Sequence, residues 1–282
     1  MQDACERIFL SRTSRPHGVN LSYDWIQMLF IENADVYIKI MDSLWSDGEA
    51  LSDGIARILE SYGIKRGKIL DLFCGNGRVA VNLARKGYEV VGVDISMPSI
   101  RNAITKAEKY GVSDRVRFIA GDARRLVELL GDEKFDAATI VWTSLGYYDE
   151  LTDMEVLKQV RSLSNDNGVL IIADTIHRDK IAADGNRSYY QRYGDVIVLQ
   201  RDVFDPINSK LISDWTILED EGTVMRKVIN SISMEIRVYT VTEMSSILRR
   251  SGWGVDSVYG DLRKLQQFHP SRSYMNIIAR AI

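Results

Sequence analysis

The chain has 282 residues, of which 45% are hydrophobic and 27% are charged, an ordinary globular balance. This length can bury one sizeable core with a smaller appendage, and it argues against two full domains or extended disorder. The formal net charge of −3 disfavours a protein that binds a nucleic-acid backbone through a basic face. No apolar run approaches the ~20 residues that span a membrane. Cys5 and Cys74 lie outside any CxxC or metal-ligand spacing, which predicts a reducing, cytoplasmic setting and no bound metal.

Residues 22–62 are predicted to form two helices, because their apolar residues recur at spacings of three and four. The second helix is expected to begin after Ser52, a residue type that is favoured at helix N-caps. We interpret residues 1–66 as an N-terminal helical cap. Its aromatic residues are candidates for a lid over a ligand, with simple packing on the sheet as the alternative: Tyr23, Trp25, Tyr37 and Trp45.

From Lys68 onward, apolar strand-like runs alternate with helical segments. Runs such as KILDLF and YEVVGVD are continuously apolar, which is typical of parallel strands covered on both faces. Ser96 and Pro98 suit the N-cap and the first turn of the helix that follows the second strand. This rhythm predicts a doubly wound α/β core over residues 67–180 and 240–282.

Beyond Asp174 the pattern changes to alternating polar and apolar residues, broken by turn signals at DPINS and EDEG. It predicts an antiparallel meander of about three strands, residues 195–239, within an inserted subdomain over 181–239. The core then resumes with a helix and two strands that leave no room for a helix between them, which predicts an antiparallel edge strand. The whole sheet is expected to be seven-stranded, mostly parallel and Rossmann-like. The insertion is a candidate to cover the site of a substrate or to pair two subunits. The protein is predicted to be a monomer or a homodimer.

A glycine-rich turn, CGNGR, follows the first core strand, and an acid lies at the end of each of the first two strands. Such a turn can be a tight connection that binds nothing, or a dinucleotide site, since Gly75, Gly77 and Ala80 fit G-x-G-x-x-G/A. The carboxylate of Asp71 would repel a pyrophosphate that approached this turn, whereas it would attract a ligand that carries an ammonium or a sulfonium. Asp94 is placed to accept hydrogen bonds from both hydroxyls of a ribose. S-adenosylmethionine is the ligand that suits both acids.

Four segments of the chain resemble successive motifs of the class I S-adenosylmethionine-dependent methyltransferases: LDLFCGNGR, VVGVDIS, FIAGDARRL and FDAATIVWTSLGYY. The resemblance covers residues 68 to about 174 and implies that S-adenosylmethionine is the cofactor. It implies that Asp71, Gly75 and Gly77 frame the methionine moiety. It also implies that Asp94 holds the ribose and that Ile95 packs on the adenine.

The same resemblance extends the cofactor site to the ends of the third and fourth strands. Asp122 would accept from the adenine amino group, and the Ala123 N–H would donate to a ring nitrogen. Phe73 and the segment 141–143, including Trp142, would lie beside the methionine portion. Without the resemblance, Asp122 also fits a cap of the short helix that follows it, and both roles are compatible.

The acceptor is predicted to be a small molecule bound beyond the fourth and fifth strands. Two segments that indicate nucleic-acid acceptors, Asn/Asp-Pro-Pro-aromatic and a Pro-Cys nucleophile, are absent. SLGYYDE resembles the corresponding segment of family members that act on small molecules. Three alternatives remain open: a methyltransferase acting on RNA or protein, an NAD(P)-dependent Rossmann oxidoreductase, and a binding protein without catalysis.

Candidate acceptor-side residues follow from their positions after the fourth and fifth strands and at the end of the meander. Tyr147 and Tyr148 are candidates to line the acceptor pocket, with coverage of the sheet edge as the alternative. Tyr147 and His177 are the candidate catalytic residues, and an ordinary loop histidine is the alternative for His177. Arg237 and Tyr239 form an R-x-Y segment in which the arginine is a candidate clamp for an acidic acceptor.

Overall fold

The computed structural model describes residues 24–282, apart from the side chains of residues 24, 227 and 230. The described chain begins with helices: α1 (Asp24–Gln27), which continues as a π-helical turn (Met28–Glu32), α2 (Ala34–Ser43) and α3 (Trp45–Ser61). Helices that connect strands follow: α4 (Ala80–Arg85), α5 (Met97–Lys109), α6 (Leu126–Leu130), α7 (Glu150–Ser162), α8 (Arg178–Asp184) and α9 (Val241–Arg250). In this part of the chain no helix combines the length and the apolar composition that a membrane crossing requires.

The strands of the described chain form two sheets. The strands of the larger sheet are β1 (Lys68–Leu72), β2 (Glu89–Asp94), β3 (Val116–Ala120), β4 (Phe135–Val141), β5 (Ser164–Thr175), β10 (Trp253–Asp261), β11 (Gln266–Gln267) and β12 (Met275–Ala281). The strands of the smaller sheet are β6 (Arg187–Tyr193), β7 (Val196–Asp205), β8 (Lys210–Asp220) and β9 (Met225–Arg237).

The larger sheet has the order β11-β10-β12-β5-β4-β1-β2-β3. Strands β1 to β5 are parallel, whereas β12 runs antiparallel to both β5 and β10. The prediction of a mostly parallel, Rossmann-like sheet is therefore confirmed. The long antiparallel strand β12 lies inside the sheet beside β5, and the short β11 takes the edge and brings the sheet to eight strands. The strand order reverses between β1 and β4, where open α/β sheets bind their ligands.

Two apolar clusters cover the two faces of the larger sheet because successive strand residues point to opposite sides. Leu70 of β1 packs with residues of α6, α7 and α9. Ile69, the preceding residue, packs with residues of α3 and α4. The carboxyl ends of β1 to β5 are thus held in fixed positions along one edge.

The inserted subdomain is a four-stranded antiparallel sheet in the order β6-β7-β8-β9, one strand more than the sequence predicts. Its first strand, RSYYQRY, escapes detection because it is a polar, partly exposed edge strand with no apolar alternation. A third apolar cluster joins this sheet to the N-terminal helices, with Leu29, Val36 and Ile40 packing among Val196 and Ile217. Cap and insertion therefore share one core.

Two predicted helix starts have different outcomes. Ser96 is the N-cap of α5 and accepts from the Ser99 N–H at 3.3 Å, as predicted. The prediction for Ser52 is wrong, because α3 begins at Trp45 and Ser52 lies buried inside it. Its hydroxyl donates instead to the Gly48 carbonyl one turn earlier, at 2.8 Å. Tyr23, a candidate lid residue, lies outside the described residues.

Candidate active site

A cavity opens at the carboxyl ends of β1 to β4, and its empty space, with the open solvent at its mouth included, is about 890 Å³. Its walls are the glycine turn, the segments that follow β2, β3 and β4, and the N-terminal helices. Ten of the residues predicted to form the site line it: Asp71, Phe73, Gly75, Asp94, Ile95, Asp122, Ala123, Trp142, Tyr147 and Tyr148. The structure thus brings most of the predicted cofactor and acceptor residues together.

Asp94 and the glycine turn are held to each other. The Asp94 carboxylate accepts from the N–H groups of Gly75 and Ser96, each at 2.8 Å. Burial raises the pKa of Asp94, although these two N–H groups oppose that rise. Each carboxylate oxygen has a second lone pair, so Asp94 keeps the capacity to accept from ligand hydroxyls.

Gly77 does not line the cavity, which corrects the prediction that it contacts the cofactor. Its φ is +77°, and a Cβ there would lie 2.9 Å from the Ala103 Cβ and 3.0 Å from the Phe118 ring. The glycine therefore lets the turn pack against α5 and β3. Gly75 is the glycine that faces the cavity, with a φ of +52° and no atom within 4 Å of its ideal Cβ position.

Asp71 carries an unused hydrogen-bond acceptor in this buried site. Its Oδ1 accepts from the Thr139 hydroxyl at 2.7 Å, whereas its Oδ2 is buried without a hydrogen-bond partner. Burial raises the pKa of Asp71 to about 7, against the opposing effects of the Thr139 hydroxyl, the Arg78 charge and the nearby Ala80 N–H. A buried carboxylate oxygen without a partner is costly, and a cationic donor in the cavity would relieve that cost. The ammonium of S-adenosylmethionine fits this site.

Asp122 caps the 3-10 turn that follows β3, as its alternative interpretation predicts. Its carboxylate accepts from the Arg124 N–H at 2.9 Å and from the Arg124 guanidinium at 2.6 Å. The Arg124 side chain thereby lowers the pKa of Asp122 and keeps it charged. The same guanidinium lies 4.7 Å from the centre of the Tyr148 ring, so Arg124 joins the two walls of the cavity.

The backbone beside the cavity has left-handed residues that are not glycine. Phe73 follows β1 with a φ of 59°, and Trp142 and Thr143 follow β4 with φ values of 65° and 57°. Such conformations are unfavourable for bulky residues and concentrate at functional sites. These left-handed conformations direct the Phe73 and Trp142 side chains toward the cavity, and both side chains line it.

His177 is not placed to act as a base in this cavity. It is fully buried, and its Nε2 lies 3.0 Å from the Ser273 carbonyl oxygen in the loop before β12. Burial lowers the pKa of its imidazole. It lies at the carboxyl edge of β5, as expected, but it packs against the C-terminal loop rather than facing the ligand space.

Arg237 and Tyr239 also bind protein groups instead of lining the cavity. Arg237 pairs with Glu243 of α9 at 2.8 Å. The Tyr239 hydroxyl donates to Asp153 of α7 at 2.7 Å, and the same carboxylate oxygen accepts from the Gly146 N–H. The proposed clamp for an acidic acceptor is therefore already paired within the protein. These contacts brace the end of the insertion against the core.

Several cavity residues were not identified from the sequence. Arg78 and Asn76 belong to the CGNGR turn itself and line the cavity. Arg78 pairs with Asp47 of α3 at 3.5 Å, and Asn76 donates to Asp42 of α2 at 2.7 Å. The N-terminal helices also contribute Ile26, Phe30 and Met41, beside Tyr37, which is a predicted lid residue. Of the residues that were missed, only the polar pairs are indicated by the sequence, because the first helices contain acids and the turn contains donors that match them.

Comparison with known proteins identifies the class to which this site belongs. Residues 65–194 match the family model of a methyltransferase domain. The fold is shared by solved S-adenosylmethionine-dependent methyltransferases, one of which, from Clostridium acetobutylicum ATCC 824, superimposes with a TM-score of 0.73 at 19% identity over 89% of this chain and 98% of that one. Residues 65–194 are thus a methyltransferase domain, and the protein is an enzyme that uses S-adenosylmethionine as its cofactor.

Among curated proteins, the chain is similar to the putative methyltransferase YqeM of Bacillus subtilis (strain 168). The two are 26% identical over 236 residues, which cover 83% of this chain and 90% of that protein. A second solved neighbour is CalS10 of Micromonospora echinaspora, described as an amino pentose methyltransferase with S-adenosylmethionine bound. It has a TM-score of 0.68 at 16% identity and covers 90% of this chain and 98% of its own.

Proposed function

We propose that this methyltransferase acts on a small-molecule acceptor bound inside the cavity described above. The observation that carries the proposal is the third apolar cluster, which joins the N-terminal helices to the inserted sheet. Through it, Phe30 and Tyr37 are held at the cavity, which they both line. A concave, mostly enclosed site suits a small ligand. An RNA or a folded protein would need an open groove, and the net charge of −3 disfavours binding to an RNA backbone.

Structural neighbours favour the same class of acceptor. CalS10 is described as an amino pentose methyltransferase. KedS8 of Streptoalloteichus is described as a sugar N-methyltransferase and superimposes with a TM-score of 0.65. Both names describe small molecules, and both chains share the fold nearly throughout.

The cofactor roles proposed here follow from the placement of each side chain. The Asp71 Oδ2 pairs with the ammonium, Asp94 accepts from the ribose, and Phe73 and Trp142 lie beside the methionine chain. Ile95, which is 36% exposed, packs on the adenine, while Asp122 and the Ala123 N–H face its polar edge. When bound, S-adenosylmethionine supplies a methyl group on a sulfonium, ready for in-line displacement. The protein contributes orientation and exclusion of water.

The proposed domain roles follow the same division. Residues 67–180 and 240–282 hold the cofactor, the helices within 1–66 act as a lid, and the insertion, 181–239, supports the acceptor side. The lid role is supported by the ion pair between Asp47 and Arg78 and by the hydrogen bond between Asn76 and Asp42, which tie α2 and α3 to the cofactor turn.

Methyl-labelled S-adenosylmethionine tests the proposal directly. The enzyme is incubated with a cell extract separated into dialysable, RNA and protein fractions, and the label in each is counted. Transfer into dialysable material is expected, and Asp94→Ala, which should lose the cofactor, is the matched control. Label found only in RNA or protein would overturn the small-molecule assignment.

A further inference from the structure

Five aromatic side chains form a continuous wall of the cavity, which we name the aromatic wall: Phe30, Tyr37, Phe73, Trp142 and Tyr147. Their rings contact one another in sequence around the space. The centroid distances are 6.5 Å from Trp142 to Tyr37 and 4.8 Å from Tyr37 to Phe30. They are 6.0 Å from Phe30 to Tyr147 and 6.5 Å from Tyr147 to Phe73. Three separate parts of the chain contribute to this arrangement.

The aromatic wall is not simply part of the core. Each of its five rings is only partly buried, whereas core aromatics such as Trp253 and Phe135 are 0% and 1% exposed. The rings therefore keep exposed surface in the cavity that they line, although the Arg78 guanidinium already lies 5.3 Å from the centre of the Trp142 ring. An aromatic face carries negative potential and attracts cations.

Acidic side chains strengthen this attraction. Asp71, Asp94 and Asp122 line the same cavity, and the Arg78 charge is partly offset by Asp47 at 3.5 Å. Burial raises the pKa of both the Tyr37 and the Tyr147 phenol, and the negative charge of Asp94 raises each of them further, although the positive charge of Arg78 opposes the rise at Tyr37. The field of Asp94 thus reaches the aromatic wall, and the phenols stay neutral.

We infer that the methyl acceptor is an amine, whose nitrogen lies against the aromatic wall and becomes an ammonium there. The inference rests on the proposed function and narrows its acceptor class. The amine gives its proton to water before the reaction, and its nitrogen then uses the free lone pair to form the new bond to the methyl carbon. As it does so, the carbon–sulfur bond breaks and its electron pair stays on sulfur. The positive charge passes from sulfur to nitrogen, and the ammonium afterwards releases a proton to water.

This charge movement explains why the wall suits an amine better than a hydroxyl. The aromatic wall faces the sulfonium before transfer and the ammonium after it. It therefore stabilises the positive charge throughout the reaction. A hydroxyl acceptor would need a base to take its proton during the reaction. The tyrosine phenols have raised pKa values, and the Arg124 side chain lowers the pKa of Asp122, which makes it a weak base. Asp71 is taken by the cofactor ammonium in the proposed arrangement.

Choline and neohexyl alcohol, its uncharged carbon isostere, test the inference as a matched pair of probes. Calorimetry would measure both on the enzyme saturated with S-adenosylhomocysteine, in which the sulfur is neutral. Choline is expected to bind about tenfold more tightly, a difference within the range of desolvated cation–π contacts. On the S-adenosylmethionine complex that preference should shrink, because the sulfonium repels a second cation nearby.

Substitutions in the aromatic wall show whether the ring faces are responsible. Tyr147→Leu and Phe30→Leu keep apolar bulk but remove the ring, and each should reduce the preference for choline severalfold. Tyr147→Phe keeps the ring and should retain the preference. Cooperative thermal unfolding of each variant confirms that it is folded.

The possible outcomes distinguish a failure of the amine inference from a failure of the proposed function. If S-adenosylmethionine binds but choline binds no better than neohexyl alcohol, or neither probe binds, the amine inference is overturned and the proposed function stands. Retention of the choline preference in both folded leucine variants would also overturn it. Failure to bind S-adenosylmethionine at all would instead overturn the proposed function.

Discussion

The carboxylate of Asp94, at the end of β2, accepts a hydrogen bond of 2.8 Å from the backbone N–H of Gly75, in the turn after β1. A side chain proposed to bind the ribose thus also holds the loop that is proposed to face the methionine moiety. Loss of the carboxylate would therefore remove the proposed ribose contact and also the hydrogen bond that holds the turn. The two parts of the cofactor site are therefore coupled through one residue.

The first prediction is that Asp94→Ala weakens S-adenosylmethionine binding by about 1.5–3 kcal/mol, the contribution of hydrogen bonds to a charged group. Asp94→Asn keeps one acceptor oxygen for the turn and should show a smaller stability loss with a similar loss of affinity. Isothermal calorimetry and thermal unfolding measure the two effects. Unchanged affinity in a folded Asp94→Ala variant would exclude the ribose role.

The second prediction separates the two glycines of the turn. Gly77→Ala should destabilise the fold by about 1–3 kcal/mol, because its Cβ would overlap Ala103 and Phe118 and its φ is +77°. Gly75→Ala is the matched control, since it shares a positive φ but meets no atom within 4 Å. Urea unfolding should show the larger loss for Gly77→Ala. Equal stability of the two variants would contradict the packing role.

The third prediction concerns pH. The pKa of Asp71 is about 7 in the folded protein, and the carboxylate is the form that binds an ammonium. Affinity for S-adenosylmethionine should therefore fall as pH drops below about 7, approaching tenfold per pH unit where this single site controls binding. Asp71→Asn should bind weakly and without this pH dependence. Calorimetry across the range checks it, and a flat profile in the wild type would contradict it.

Stability should show the opposite trend from binding at this residue. Because the folded-state pKa of Asp71 lies above its unfolded value, the protonated carboxyl stabilises the fold most at acid pH. That contribution is lost as pH rises toward about 7. Asp71→Asn, which stays neutral, should consequently unfold at a higher temperature than the wild type above pH 7. A lower unfolding temperature there would show that Thr139 and Arg78 outweigh the cost of burial.

The fourth prediction concerns the brace between the insertion and the core. Tyr239→Phe should cost about 1–3 kcal/mol of stability, because it removes a donor from the buried Asp153 carboxylate. S-adenosylmethionine affinity should be retained, since neither residue lines the cavity. Tyr190→Phe, at a tyrosine 49% exposed on β6, is the control and should be neutral. Lost cofactor affinity in a folded Tyr239→Phe variant would place the brace in the cofactor site.

The sequence predicts which strand-end residues line the cavity because the end of a strand is a local property. Continuous apolar runs mark buried parallel strands, and the residue that follows each run lies at the same edge of the sheet. Asp71, Asp94 and Asp122 therefore come together whatever the details of packing. Ser96 was likewise identified from its own position before a helix. Ser52 was not, because a favourable capping residue also fits inside a helix when its hydroxyl bonds one turn back.

The sequence by itself determined the α/β class, the inserted antiparallel sheet, and the cofactor acids at the strand ends, because each depends on periodicity or on a position beside a strand. Only the tertiary structure decided what faces the acceptor. His177, Arg237 and Tyr239 are occupied by Ser273, Glu243 and Asp153, partners that no sequence spacing indicates. Phe30 and Tyr37 reach the cavity because their helices pack on the inserted sheet through the third apolar cluster. The direction of such side chains depends on long-range packing between segments far apart in the chain, and packing is a property of the folded molecule alone.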